Sequence, residues 1–224
     1  MSNSVTDGLR APKVQPRAAI LLRILDTQLM SSEQPFSAST SSRVSEQLLV
    51  EEVPDATKAF ENFIKAAEAW RSIGGTVMHV HTCYTPEQPP GGCMLDFAPR
   101  AGEVLSEGVL ATAFYDGLIQ SEDKIVRKTN FSAVTSSNLS EVLRDKGYGT
   151  VIIGGLTTPI CVGTTVDNLS MSGIKVIILE DACASQSIGS RSVQDAHTFA
   201  IERMRFLFAQ VTSSSESIAS LKLA

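Results

Sequence analysis

The stretch "TVIIGGLTTPICVGTTVDNLSMSGIKVIILED" occupies residues 150–181, and its punctuation decides the fold. An apolar run of strand length, 150–153, stops at Gly154-Gly155. A turn containing threonines and Pro159 leads into a helical stretch from about Cys161 to Ser172, and a second apolar run follows at 174–181. Strand, helix, strand in so short a span is the pattern of two parallel strands joined by a crossover helix. Both strands are near-continuous Val/Ile runs, as expected where helices cover both faces of a sheet.

The same rhythm extends outward. "AAILLRIL" (18–25), "TVMHVHT" (76–82), "KIVRK" (124–128) and a run near 208–212 read as further strands. Between them, 54–75 is helical: Phe60, Phe63, Ile64, Ala67 and Trp70 recur every three or four residues, and Gly74-Gly75 closes the element. Helices are also expected at 136–149 and near 190–205. The chain is therefore expected to be α/β, a three-layer α-β-α sandwich of Rossmann-like kind around a mostly parallel, roughly six-stranded sheet. Residues 1–17 read as a flexible polar arm, 18–212 as one domain and 213–224 as a tail. Residues 29–50 and 83–121 break the rhythm, and stretches of that length are typical of functional loops.

Composition narrows the function classes. The 224 residues are 43% hydrophobic and 19% charged, the range of globular proteins. A net charge of −5 without any Lys/Arg block argues against a nucleic-acid partner. The apolar runs are too short to span a bilayer, and the first 17 residues carry no signal-peptide core. Cys83, Cys93, Cys161 and Cys183 have no disulfide-framework, zinc or redox-pair spacing, so reduced thiols and a cytoplasmic location are expected.

Ligands of open α/β sheets bind beyond the carboxyl ends of the strands. The polar residues at those positions are Asp26 and Gln28 after the first strand, Lys128, Asn130 and Phe131 at the third, and Cys161 after the fourth. The set is chemically coherent. A thiol at a helix start has its thiolate favoured by free N–H groups and the dipole, and a nearby lysine favours it further. A carboxylate can take the thiol proton and later pass it to a leaving amine. On that basis Cys161 should alkylate ahead of the other three cysteines near pH 6.5. Taken singly, each residue also has a plain structural reading: a cysteine filling a core gap, an aspartate capping a turn, a solvated lysine.

The surrounding residues add a resemblance. Asp26-Thr27-Gln28 after a strand, Lys128 followed by Phe131-Ser132, and Gly155 and Thr158 leading to Cys161-Val162 together resemble the isochorismatase-like cysteine hydrolases. That superfamily includes nicotinamidases, N-carbamoylsarcosine amidases, ureidoacrylate amidases and isochorismatases. The resemblance runs over about residues 18–212 and implies the isochorismatase-like hydrolase fold. It implies Cys161 as nucleophile, Asp26 as general base and acid, and Lys128 as the supporting cation. It further implies a cis peptide at Leu156–Thr157, an oxyanion hole from the amides of Thr157 and Cys161, and a homo-oligomer, dimer or tetramer.

Three departures shape the expected function. Where nicotinamidases carry metal ligands after the second strand, this chain has Cys83 and Thr85, so no metal and no cofactor are expected. His79 and His81 precede that point and read as core or supporting residues, with ligand contact as the lesser alternative. The first loop is rebuilt, with "LMS" where "NDF" often follows the Asp-x-Gln motif, and the insertion at 107–120 has no clear family counterpart. The leading expectation is a metal-independent hydrolase of a small amide or ureide working through a thioester, with Phe131 as a flat wall and Gln28 and Asn130 as polar contacts. The alternatives are a vinyl-ether hydrolase of isochorismatase type and a catalytically silent binding protein.

Overall fold

The structure is a computed structural model, and it describes residues 18–23 through their backbone and residues 53–109 and 118–221 in full. Strands β1 (Ala18–Arg23), β2 (Thr76–Thr82), β3 (Lys124–Lys128), β4 (Thr150–Leu156), β5 (Lys175–Ala184) and β6 (Gln210–Thr212) lie in the order β3-β2-β1-β4-β5-β6. Every neighbouring pair is parallel. The chain winds outward from β1 to β3, then crosses back and winds out the other way. The reversal falls between β1 and β4, the position where such sheets open a crevice for ligands.

Alternation along the strands creates two cores. On β4, Val151 and Ile153 face one side with Met78, Val80, Val126, Val176 and Ile178. That side is covered by α2 (Leu139–Asp145), α3 (Gly163–Met171) and α4 (Val193–Leu207) through Leu143, Val166, Leu169, Ile201 and Met204. Ile152, Val77, Ile177 and Leu179 face the other side. There α1 (Ala56–Ser72) buries Phe60, Phe63, Ala67 and Trp70, the positions its three- and four-residue spacing marks. Residues 214–221, read from sequence as part of a tail, form helix α5 (Ser214–Leu221) packed on α1 through Ile218 and Leu221. Asp181 anchors it, accepting from the Ser214 amide at 2.7 Å.

The carboxyl end of β4 is irregular. Ile153 pairs with Ile178, yet Gly155 pairs with Cys183, so β5 bulges outward between those rungs. Gly155 has φ +134, which only glycine adopts readily. Gly154 is needed for space: a Cβ there would lie 2.9 Å from the Ala182 carbonyl and 2.9 Å from Phe63. Gly154→Ala is accordingly expected to destabilise the fold by about 1–3 kcal/mol through overpacking. Urea unfolding measures this; an unchanged midpoint would show that the bulge absorbs the methyl group.

Candidate active site

Lys128 is the last residue of β3, in register with Thr82 of β2. Its side chain is wholly buried, and Nζ donates to the Asn130 carbonyl at 2.7 Å. Among the described residues no carboxylate pairs with it. The loop that follows is tied to the helix beyond the cysteine. The Ala133 amide donates to Thr165 Oγ1 at 3.0 Å, and Asn168 Nδ2 donates to Ser132 Oγ at 3.2 Å. Through these bonds the lysine's strand and the cysteine's helix hold a fixed relation.

Cys161 is 1% exposed. It sits inside a single π-helical turn, Thr158–Val162, that precedes α3, rather than at the start of one continuous helix. The Thr157 carbonyl accepts from Ile160 N at 3.1 Å and Val162 N at 3.2 Å, winding the turn back on itself. Thr158, fully buried, donates Oγ1–H to the Ala184 carbonyl at 3.0 Å, while His197 Nδ1 approaches the same oxygen at 2.9 Å. With that proton committed to Ala184, His197 is the donor to Thr158. The Leu156–Thr157 peptide is cis. The backbone of Thr157 hydrogen-bonds the Cys161 sulfur, which favours the thiolate.

Other residues singled out from sequence have definite places. Asn130 uses both ends of its amide locally, accepting from Phe131 N at 2.7 Å and donating to the Gly91 carbonyl at 3.3 Å. Phe131 is half-buried against a small apolar cluster that includes Tyr84, Met94 and Leu105. His79 meets Asp123 at 2.8 Å and packs edge-on to Phe63, while Arg71 Nε reaches the same carboxylate at 2.9 Å. That buried group joins α1 to the approach to β3. Thr85 Oγ1 accepts from Gln88 N at 3.2 Å. Asp26, Gln28, the arm 1–17, the loop 29–50 and residues 110–117 of the insertion lie outside the described residues. In sequence, Asp26 comes three positions after the end of β1, the strand that neighbours β4.

Sequence reasoning did not single out Tyr84 or His197. Tyr84 lies two residues past β2, so the strand-end rule applied to that strand would have found it. His197 lies in mid-helix, and no local spacing connects it to Thr158.

The sequence model of the isochorismatase domain matches residues 44–216. The chain belongs to the isochorismatase family. An uncharacterized isochorismatase family protein of Bacillus subtilis, YrdC, is 29% identical over 168 residues, covering 72% of this chain and 82% of its own length. A "probable inactive nicotinamidase" of Arabidopsis thaliana is 36% identical over 90 residues, 38% of this chain and 45% of that one. The ureidoacrylate amidohydrolase RutB of Agrobacterium fabrum is 28% identical over 103 residues, 46% of this chain and 44% of its own. The solved structure of a cysteine hydrolase from Pseudomonas syringae superposes with a TM-score of 0.76 at 23% identity, covering 92% of this chain and 93% of that one, which establishes a shared fold. Members of this family are hydrolases, with amidohydrolases among the relatives.

In this isochorismatase family member, burial dominates the charges at the site. Burial pushes the Cys161 thiol up from its ordinary value, against the pull of Lys128 and of the Thr157 backbone. The expectation of a depressed thiol rested on the helix start and the lysine; the wholly enclosed position outweighs both. Lys128 is lowered to about 8 by burial, with the Cys161 charge opposing. The two groups are electrostatically coupled, and each supports the ionised form of the other. Among the described residues no group of three or more His, Cys, Asp or Glu side chains could hold a metal ion, and no helix is long and apolar enough to cross a membrane.

Proposed function

We propose that this chain is a metal-independent cysteine hydrolase that cleaves the C–N bond of a small amide or ureide. The observation that carries the reading is a buried thiol coupled to a buried amine at the carboxyl edge of the sheet, with no carboxylate among the described residues pairing the amine. Burying an ammonium is costly, and a core position has no need of one. The metal-binding alternative is a poor fit to the side chains present: Thr85 is held by Gln88 N, and His79 by Asp123.

In the proposed cycle Asp26 takes the Cys161 proton as the sulfur attacks the carbonyl carbon. The developing oxyanion is held by the amides of Thr157 and Cys161. Collapse breaks the C–N bond, and the amine leaves with the proton from Asp26. A water then gives a proton to Asp26, attacks the thioester and releases the acid, restoring the thiol. Lys128 keeps negative charge tolerable at the sulfur. RutB, an amidohydrolase by name, supports the C–N reading. A hydrolysis screen over small amides, ureides, hydroxamates and isochorismate, with Cys161→Ala as the blank, tests it; equal turnover by the blank would sink it.

This reading has a pH signature. Lys128 is lowered to about 8, so it loses its charge as pH rises through that value, and support for the thiolate goes with it. The rate, kcat/KM, is expected to fall on the alkaline side with a limb near pH 8. A rate that stays level up to pH 10 would show that the lysine charge is not required.

A further inference from the structure

We infer that the Tyr84 hydroxyl contacts the substrate, donating a hydrogen bond to an acceptor oxygen on the part of the molecule that lies beyond the scissile carbonyl. Tyr84 follows β2, the strand beside the one that ends in Lys128. Its backbone is fixed from both sides: its amide donates to the Leu105 carbonyl at 2.8 Å, and its carbonyl accepts from Glu107 N at 2.8 Å. The ring is 2% exposed and packs in the same apolar cluster as Phe131. Its hydroxyl oxygen is buried and, among the described residues, has no hydrogen-bond partner.

A buried phenol normally finds a partner, and leaving one unmet costs about 1–3 kcal/mol. The phenol also lies within electrostatic reach of Cys161, whose charge, after burial, helps to hold the hydroxyl proton on at a pKa of about 12. It is therefore a neutral donor throughout the working range, and it cannot serve as a base. An enclosed donor within electrostatic reach of the nucleophile, lacking an acceptor among the described residues, selects molecules that bring one. A site of this kind discriminates strongly against analogues lacking the acceptor, because the donor is then left unpaired. Within the amide and ureide reading on which this inference rests, it favours compounds with a second carbonyl over simple alkyl amides.

Malonamide and isovaleramide are similar in size and differ at the far end, a second carboxamide in one and an isopropyl group in the other, so they serve as probes. Each is tested for its ability to protect Cys161 from iodoacetamide, read by peptide mass spectrometry in the wild type and in Tyr84→Phe. Wild-type protection is expected at roughly tenfold lower malonamide than isovaleramide, the loss typical of one unmet buried hydrogen bond. In Tyr84→Phe the two amides should protect at about equal concentrations, with Tm unchanged or raised because an unmet polar group has been removed. Persistence of the malonamide preference in the variant, or its absence in the wild type, would overturn the inference. So would a fall of about 2–4 °C or more in Tm, which would mark the hydroxyl as a structural donor. Protection reports binding alone, so failure of the hydrolase reading appears separately, as turnover retained by Cys161→Ala.

Discussion

Cys161→Ser is expected to lower amide or ureide turnover by about 10³-fold or more while leaving the fold intact. A serine hydroxyl ionises far less readily than a thiol, and burial already pushes even the Cys161 thiol up. The nearest described cation, Lys128, is already lowered to about 8. The smaller oxygen still has a donor at hand in the Thr157 backbone, so thermal unfolding should change little. The same variant separates the two chemistries this family scaffold could support. Vinyl-ether hydrolysis needs protonation by the strand-one acid and no covalent step, so isochorismate turnover should survive the substitution. Loss of amide turnover with isochorismate hydrolysis at wild-type level in both proteins would assign the protein to the second chemistry as well. Retention of amide turnover would remove Cys161 as the nucleophile.

Lys128→Met carries the second large effect, and it acts in opposite directions on rate and stability. The amine is wholly buried and bonded only to the Asn130 carbonyl among the described groups. Ser136 Oγ lies 3.4 Å from that carbonyl but gives its one proton mainly to the Ser132 carbonyl at 2.5 Å. The variant therefore leaves an acceptor weakly met, a loss of about 1–3 kcal/mol against the several kcal/mol that burying an ammonium costs. Methionine fills nearly the same volume without a charge to desolvate, so the variant should be as stable as the wild type or more so at pH 7. The sign follows from linkage. Lysine's ordinary value of 10.5 is lowered to about 8 in the fold, so between those values the unfolded chain binds more protons. The lysine's destabilising contribution is therefore full below pH 8 and fades as pH approaches 10.5. The stability gain of Lys128→Met should shrink over the same window. Activity should fall by about 10³-fold, the scale seen when an electrostatic partner of developing charge is removed. A variant that is both less stable and fully active would show the lysine to be a packing residue.

Much of this architecture is legible in the residues because both-sided burial writes near-continuous Val/Ile strands. The helix at 54–75 and the strands at 76–82 and 124–128 follow directly from period and punctuation, and the structure places elements there with bounds of Ala56–Ser72, Thr76–Thr82 and Lys124–Lys128. The strand-end rule likewise leads to Lys128 and Cys161. Less legible features depend on tertiary partners. The π-helical turn at Thr158–Val162 is held by Ala184 and His197, distant in sequence, so local propensity reads it as ordinary helix. Helix α5 is short and serine-rich, and Asp181 with the surface of α1 gives it its place. The thiol's direction of shift was hidden for the same reason. Helix position and a lysine can be read from a sequence, whereas complete enclosure of Cys161 cannot. Asn130 reads as a polar group at a strand end, and only the loop geometry reveals that its amide is occupied.

The central claim is a covalent acyl-enzyme on Cys161, and intact-mass spectrometry of acid-quenched turnover tests it most directly. With an amide or ureide taken from the screen, wild-type protein should gain the mass of the acyl group. Peptide mapping should place it on Cys161, and Cys161→Ala should gain nothing and turn over nothing. Hydrolysis by Cys161→Ala at the wild-type rate, or an adduct mapped to Cys83, Cys93 or Cys183 instead, would contradict the account.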